Sequence, residues 1–253
     1  MIIARSPLRI SLGGGGTDVP SYSNEFEGFL IAGAINKYVY VTVNRPFQQE
    51  INLKYSVIEK AKEVSQIQHP IIREVLSSLE LKTPQIEISS IADIPAGTGL
   101  GSSGSFTTAL IKAIYSHYRR SIHPTELAEM ACEIELVKLG EPIGKQDQYI
   151  AAVGGVTNFI FDKDIKHWPL FVSQETLSNL EDGLLLFFTG YSRSAVGILS
   201  EQDIRLQQND AEIVDNLNKI KEIGIESATA LENSNFKKFS DLMHGHWVFK
   251  KQR

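Results

Sequence analysis

The run Pro95-Ala96-Gly97-Thr98-Gly99-Leu100-Gly101-Ser102-Ser103-Gly104-Ser105 constrains this chain more than any other stretch. Residues 85–90 alternate like a strand before it. After it, Phe106, Ala109, Leu110, Ala113 and Ile114 recur at helical spacing, which predicts a helix from near Ser103. A strand-to-helix junction this dense in small residues allows positive φ angles and close approach of a ligand to the backbone. The unpaired N–H groups opening the helix carry the positive end of its dipole and suit an anion such as phosphate. Two other motifs compete. Gly99 to Gly104 matches G-x-G-x-x-G, which needs a parallel strand ending in an acid about 20 residues on. Glu126 lies at about that distance, but in a predicted helix. A Walker loop needs Gly-Lys-Ser/Thr, and Gly144-Lys145-Gln146 fails at the last position. A plain helix cap needs one Ser and one Gly, far fewer small residues than this.

A second glycine run comes first in the chain. Residues 1–12 read as a strand interrupted at Pro7, and they lead into Gly13-Gly14-Gly15-Gly16-Thr17-Asp18. Four glycines in a row are entropically costly, whereas a hairpin turn needs only two suitable residues. Close approach of a ligand is one reason to tolerate the cost. Asp18, acceptor-only when ionised, suits sugar hydroxyls; a turn or cap role is the alternative.

A third segment adds acids. A helix is expected from Pro124, with Leu127, Met130, Ala131, Ile134 and Val137 on its buried face. Glu133 falls on the polar side. Glu135 falls at the edge of the buried side, where an acid needs a cation or a hydrogen bond. Asp147 follows in the cluster Gly144-Lys145-Gln146-Asp147-Gln148, with Lys145 placed to hold it ionised; a first-turn helix acid is the plainer reading.

Elsewhere, strands are expected over 29–44, 51–58, 156–161, 168–172 and 184–189, a helix over 69–81, and helices to the end. Strands, then helix pairs, then strands and helices give an α+β class rather than βαβ alternation. The chain has 253 residues, a net charge of −5 and scattered basic residues, which argues against nucleic acid as the main partner. Its apolar runs are too short to span a membrane. Cys132 is the single cysteine, and a cytoplasmic location is expected.

The three segments, in this order, resemble the GHMP kinase superfamily of small-molecule kinases. The resemblance rests on residues 7–18, on 95–105 and on Glu135 followed by 144–148, and its wording is nearest the heptose phosphate kinases. It implies a GHMP kinase-like two-domain α+β fold with an N-terminal domain like ribosomal protein S5 domain 2. It implies ATP- and Mg²⁺-dependent phosphorylation of a hydroxyl on a sugar or sugar phosphate. Pro95, Gly97, Gly99, Leu100, Gly101, Ser102, Ser103, Gly104 and Ser105 would wrap the ATP phosphates. Ser103 and Glu135 match the metal positions, and Asp147 and Arg9 the catalytic ones. Gly15, Gly16, Thr17, Asp18, Lys145, Gln146 and Arg193 would face the acceptor, Arg193 toward its phosphate.

The superfamily's late glycine-rich motif has no match after Gly190. The resemblance therefore implies an ATP- and substrate-binding domain over 1–180 and an incomplete C-terminal α+β domain over 181–253. A non-catalytic nucleotide or sugar-phosphate module, or a kinase with another small acceptor, remain as alternatives. Nicotinamide binding at Gly99 to Gly104 is the third. Exposed Phe236, Phe239, Met243 and Trp247 would favour homo-oligomers.

Overall fold

A computed structural model describes residues 1–81, 84–190, 192, 196–208 and 210–251. It is a mixed α+β structure with two compact units interleaved along the chain. One comprises Met1–Arg9, Ile35–Glu141 and Asp147–Val153; the other comprises Ile10–Ala34, Pro142–Gln146 and Gly154–Arg253.

The strands β1 (Ile2–Gly13) and β2 (Gly28–Asn44) pair with each other and run through both units. In the first unit the C-terminal part of β2 pairs antiparallel with β5 (Ile86–Ala92), Val41 opposite Ser90. β5 runs parallel to β3 (Ile51–Lys54), which forms an antiparallel hairpin with β4 (Ile58–Ala61). Period-2 alternation sends Val41, Val43, Leu53, Ile86 and Ile88 to one face. There they meet α2 (Pro70–Ser78), α3 (Ser102–His117) and α4 (Pro124–Cys132) in one core. Each such side chain contributes about 1.5–3 kcal/mol by leaving water. α3 is buried on nearly every side, so its hydroxyls are satisfied internally. Thr108 Oγ1 donates to Gly104 O at 2.6 Å, and Ser105 Oγ donates to Pro7 O at 2.7 Å.

In the second unit the first part of β2 pairs with β6 (Val156–Phe161), which forms a hairpin with β7 (Lys166–Pro169). α1 (Pro20–Phe26), α6 (Gln174–Gly183), α7 (Val196–Gln207), α8 (Ala211–Glu232) and α9 (Phe236–Lys250) complete it. α5 (Gln146–Val153) links the units along the chain. Leu12, Phe29, Ile31, Leu231 and Phe239 share one core, and Tyr22, Ile213 and Leu217 another.

Several sequence expectations change. Pro7 does not interrupt β1, because an extended backbone tolerates a fixed φ and the proline carbonyl takes the Ser105 hydroxyl. Residues 51–58 are not one strand but turn at Tyr55, whose N–H donates to Val57 O at 3.0 Å. Val137 is 75% exposed rather than buried. After Cys132 the helix widens into a π turn, Glu133–Lys138, with Leu139 N–H donating to Ile134 O at 3.0 Å. That shift in phase turns Val137 out. Residues 184–189 form no strand, since among the described residues none pairs with them, and Leu185 and Phe187 are exposed. The strand expected over 168–172 lies at Lys166–Pro169. On α9, Phe239 is buried while Met243 and Trp247 are exposed.

Candidate active site

The first unit gathers the glycine-serine loop, Arg9, Glu135 and Asp147. Gly99 and Gly101 have φ of +77° and +75°, in the left-handed region that favours glycine, and they swing the chain from β5 into α3. Gly101 caps α3 through its backbone, so no side chain covers the first-turn N–H groups. Pro95 and Gly99 are exposed, and Gly97, Leu100 and Ser102 are half-buried.

Arg9 ties this loop to Asp147. Its Nη1 donates to Gly99 O at 2.7 Å, and Nε and Nη2 both lie 2.7 Å from Asp147 Oδ1. The backbone adds Arg9 N–H to Leu100 O at 3.0 Å. The cation on Asp147 is thus Arg9, where the sequence suggested Lys145. Both Arg9 contacts fall on Oδ1, and among the described residues nothing donates to Asp147 Oδ2. Asp147 is also a first-turn acid of α5, so its plain and functional readings coexist. The first turn of α3 packs directly on it. A Cβ added at Gly104 would fall 2.8 Å from Asp147 Cβ, and one at Gly101 would fall 3.1 Å from its carboxyl carbon.

Glu135 is 1% exposed, turned inward within the π turn, whereas Glu133 is exposed. Ser103 Oγ donates to Glu135 Oε2, and Gln148 Nε2 donates to Oε1 at 3.0 Å. Burial pushes the Glu135 carboxyl above its ordinary value. Hydrogen bonds from Ser103, Gln148 and Thr107 oppose that shift, and Asp147 adds to it. Ser103 itself is exposed, so a hydroxyl and a carboxylate meet beside open space at the start of α3. This hard-oxygen pair fits a magnesium ion, which takes one or two protein oxygens and completes its shell with phosphate oxygens and water. No cluster of three acidic, histidine or cysteine ligands occurs among the described residues, so the protein alone would not complete that shell.

The second unit holds the other cluster. Gly13, Gly14 and Gly15 are packed by protein. A Cβ would meet Gly224 and Ser227 of α8 at Gly13, Phe29 O at Gly14 and Ser11 Oγ at Gly15. Thr17 is buried, its Oγ1 lying 2.8 Å from Gly14 O and 2.9 Å from Phe29 O and accepting from Phe29 N–H at 3.1 Å. Gly16 is half-buried, and its carbonyl accepts from Gln202 Nε2 at 3.2 Å. Asp18 is 1% exposed and accepts from Gln146 N–H and Nε2, both at 3.1 Å, and from Gly16 N–H at 3.3 Å. Lys145 is half-buried between Gly144 and Gln146. Arg193 lies outside the described residues.

Gln148 belongs to the 144–148 cluster but takes no role from the sequence, and Gln202 carries no clear sequence signal. Both are buried, and Gln148 donates to Glu135 while Gln202 donates to Gly16 O. The helix α6 is equally absent from the sequence expectations, although Ser173 Oγ accepts from Thr176 N–H at 3.0 Å, a cap legible in the sequence.

The chain is similar to several known proteins. Residues 57–155 match the GHMP kinases N terminal domain. The chain is 27% identical over 263 residues to D-glycero-alpha-D-manno-heptose 7-phosphate kinase of Campylobacter jejuni, covering 99% of this chain and 77% of that protein. It is 25% identical over 285 residues to L-fucokinase/L-fucose-1-P guanylyltransferase of Bacteroides fragilis, covering 98% of this chain and 30% of that protein. The crystal structure of a D-glycero-D-manno-heptose 1-phosphate kinase from Bacteroides thetaiotaomicron superposes with a TM-score of 0.85 at 26% identity, covering 100% of this chain and 80% of that one. Residues 57–155 therefore match a GHMP kinase N-terminal domain, and the chain that carries them shares the fold of the GHMP kinases.

Proposed function

We propose that this protein is an ATP-dependent kinase that phosphorylates a hydroxyl of a sugar or sugar phosphate, with the anomeric hydroxyl of a heptose 7-phosphate as the favoured acceptor. The observation that carries the reading is Asp147, held by Arg9 against the first turn of α3, which no side chain caps, with Ser103 and Glu135 in contact at the same helix end. Phosphoryl transfer asks for in-line positioning and neutralisation of charge, and little covalent chemistry from the protein.

Each group has a role in that scheme. The loop from Pro95 to Ser105 offers N–H groups to the phosphates of ATP. Ser103 Oγ and the Glu135 carboxylate would hold Mg²⁺, which when bound neutralises charge on the transferred phosphoryl group. Gln148 orients Glu135 from the far side. Asp147 Oδ2 takes the proton of the attacking hydroxyl, while Arg9 fixes the carboxylate through Oδ1 and neutralises it. Gly15, Gly16, Thr17, Asp18, Lys145 and Gln146 belong to the acceptor side of the scheme. Arg193 is the candidate for an acceptor phosphate.

The fucokinase relative favours a second acceptor class, an unphosphorylated deoxyhexose. A coupled ADP-release assay over hexoses, heptoses and their 6- and 7-phosphates separates the two. Acceptor-dependent ADP with a heptose 7-phosphate supports the first reading, and ADP with fucose alone supports the second. ATP binding with no ADP from any acceptor would leave a binding module.

A further inference from the structure

The kinase reading does not explain why Asp18 is so completely enclosed. Its carboxylate is 1% exposed and takes the Gly16 N–H, the Gln146 N–H and the Gln146 Nε2. The enclosure is built around it. A Cβ at Gly144 would fall 1.8 Å from Asp18 Oδ2, so only glycine there lets the carboxylate reach the Gln146 backbone. A carboxylate placed this way has little left to offer a sugar directly.

Its chemistry does determine what Gln146 offers. An ionised carboxylate only accepts hydrogen bonds, so the Gln146 amide must turn its NH₂ toward Asp18 and its Oε1 away. That Oε1 is buried and has no hydrogen-bond partner among the described residues. An acceptor fixed in direction and left unsatisfied calls for a donor. A hydroxyl can supply one; a phosphate or carboxylate oxygen cannot. Gln146 also directly precedes Asp147 in the chain.

We propose that Asp18 is a positioning residue that locks the Gln146 amide in one orientation, so that Gln146 Oε1 reads one hydroxyl of the phosphoryl acceptor. The proposal rests on the kinase reading. It makes Gln146 a specificity-determining residue and assigns to Asp18 an effect exerted through Gln146.

The test exchanges the two groups. Asp18→Asn removes the demand for a donor and frees the amide to flip. Gln146→Glu sets two carboxylates against each other. In the double variant the introduced amide donates to the introduced carboxylate, whose second oxygen again faces the acceptor. With the full chain and the acceptor that turns over best, each single variant should lower acceptor kcat/KM by about 10–100-fold, with the ATP KM within about twofold. The double variant should recover to within about fivefold of wild type. A monodeoxy acceptor lacking the hydroxyl that is read should lose at least about tenfold with wild type and nothing further with Gln146→Met. A double variant no better than its worse parent, or no monodeoxy acceptor whose penalty disappears in Gln146→Met, overturns the proposal. Failure of the kinase reading looks different, since wild type then releases no ADP with any acceptor. The lock is still read by thermal unfolding in that case: recovery of the melting temperature in the double variant supports it, and additive losses refute it.

Discussion

Replacing Gly104 with alanine tests how the phosphate loop and Asp147 share space. The new Cβ would lie 2.8 Å from Asp147 Cβ and 3.0 Å from both Asp147 C and Gln148 N. Carbon atoms in contact sit at about 3.5–4.0 Å, so the first turn of α5 must retreat by about 1 Å. Two stability terms oppose each other. Alanine improves helix propensity by about 1 kcal/mol, while overpacking costs about 1–3 kcal/mol. The net loss of about 0–2 kcal/mol leaves the protein folded, with the melting temperature lowered by at most about 8 °C. Turnover is more sensitive, because a 1 Å misplacement of a reacting group costs up to about 100-fold. Steady-state ADP release should therefore show kcat down about 10–100-fold. Calorimetry should show ATP affinity within about threefold of wild type, since the loop's N–H groups remain. A variant with wild-type kcat refutes the claim that Gly104 sets the place of Asp147. A chain that unfolds outright refutes the energy balance.

Three further perturbations probe other parts of the account. Gly144→Ala drives a Cβ into the Asp18 carboxylate and strips a buried acid of its donors, so urea unfolding should reveal a loss of at least about 2 kcal/mol. Because burial raises the Glu135 carboxyl, the folded protein holds a proton there that the unfolded chain has released, and stability falls as pH rises from the ordinary carboxylate value through the raised one. Thermal melts without divalent cation should show Glu135→Gln flattening that fall, and Mg²⁺ with ATP should stabilise wild type more than the variant. Val137→Lys should change stability by no more than about 0.5 kcal/mol, because the π turn exposes that position; a large loss would restore the regular helical phase.

Much of this site is legible in the sequence because its parts are local. The density of glycine and serine before a helical repeat marks the loop, and Glu135 falls inward where an acid at an apolar edge was expected. What escaped the sequence depends on contacts between distant residues. The Gly13 to Gly16 run looked like a ligand approach, yet Gly13 and Gly14 mainly admit α8 and β2, because Gly224 and Phe29 lie 211 and 15 positions further along the chain. The exposure of Val137 follows from one widened turn, which no fixed period of 3.6 can anticipate. Residues 184–189 have a strand's composition, but composition supplies no ladder partner. Likewise, Arg9 displaces Lys145 as the cation on Asp147 across a separation of 138 positions.

The central claim is that Asp147 receives the acceptor's proton, and exchanging it for asparagine tests this most directly. Asparagine keeps the shape and can still accept from Arg9, but it cannot take a proton. Acceptor-dependent ADP release should fall at least about 100-fold in Asp147→Asn, while ATP affinity stays close to wild type. Turnover at the wild-type rate would contradict the account.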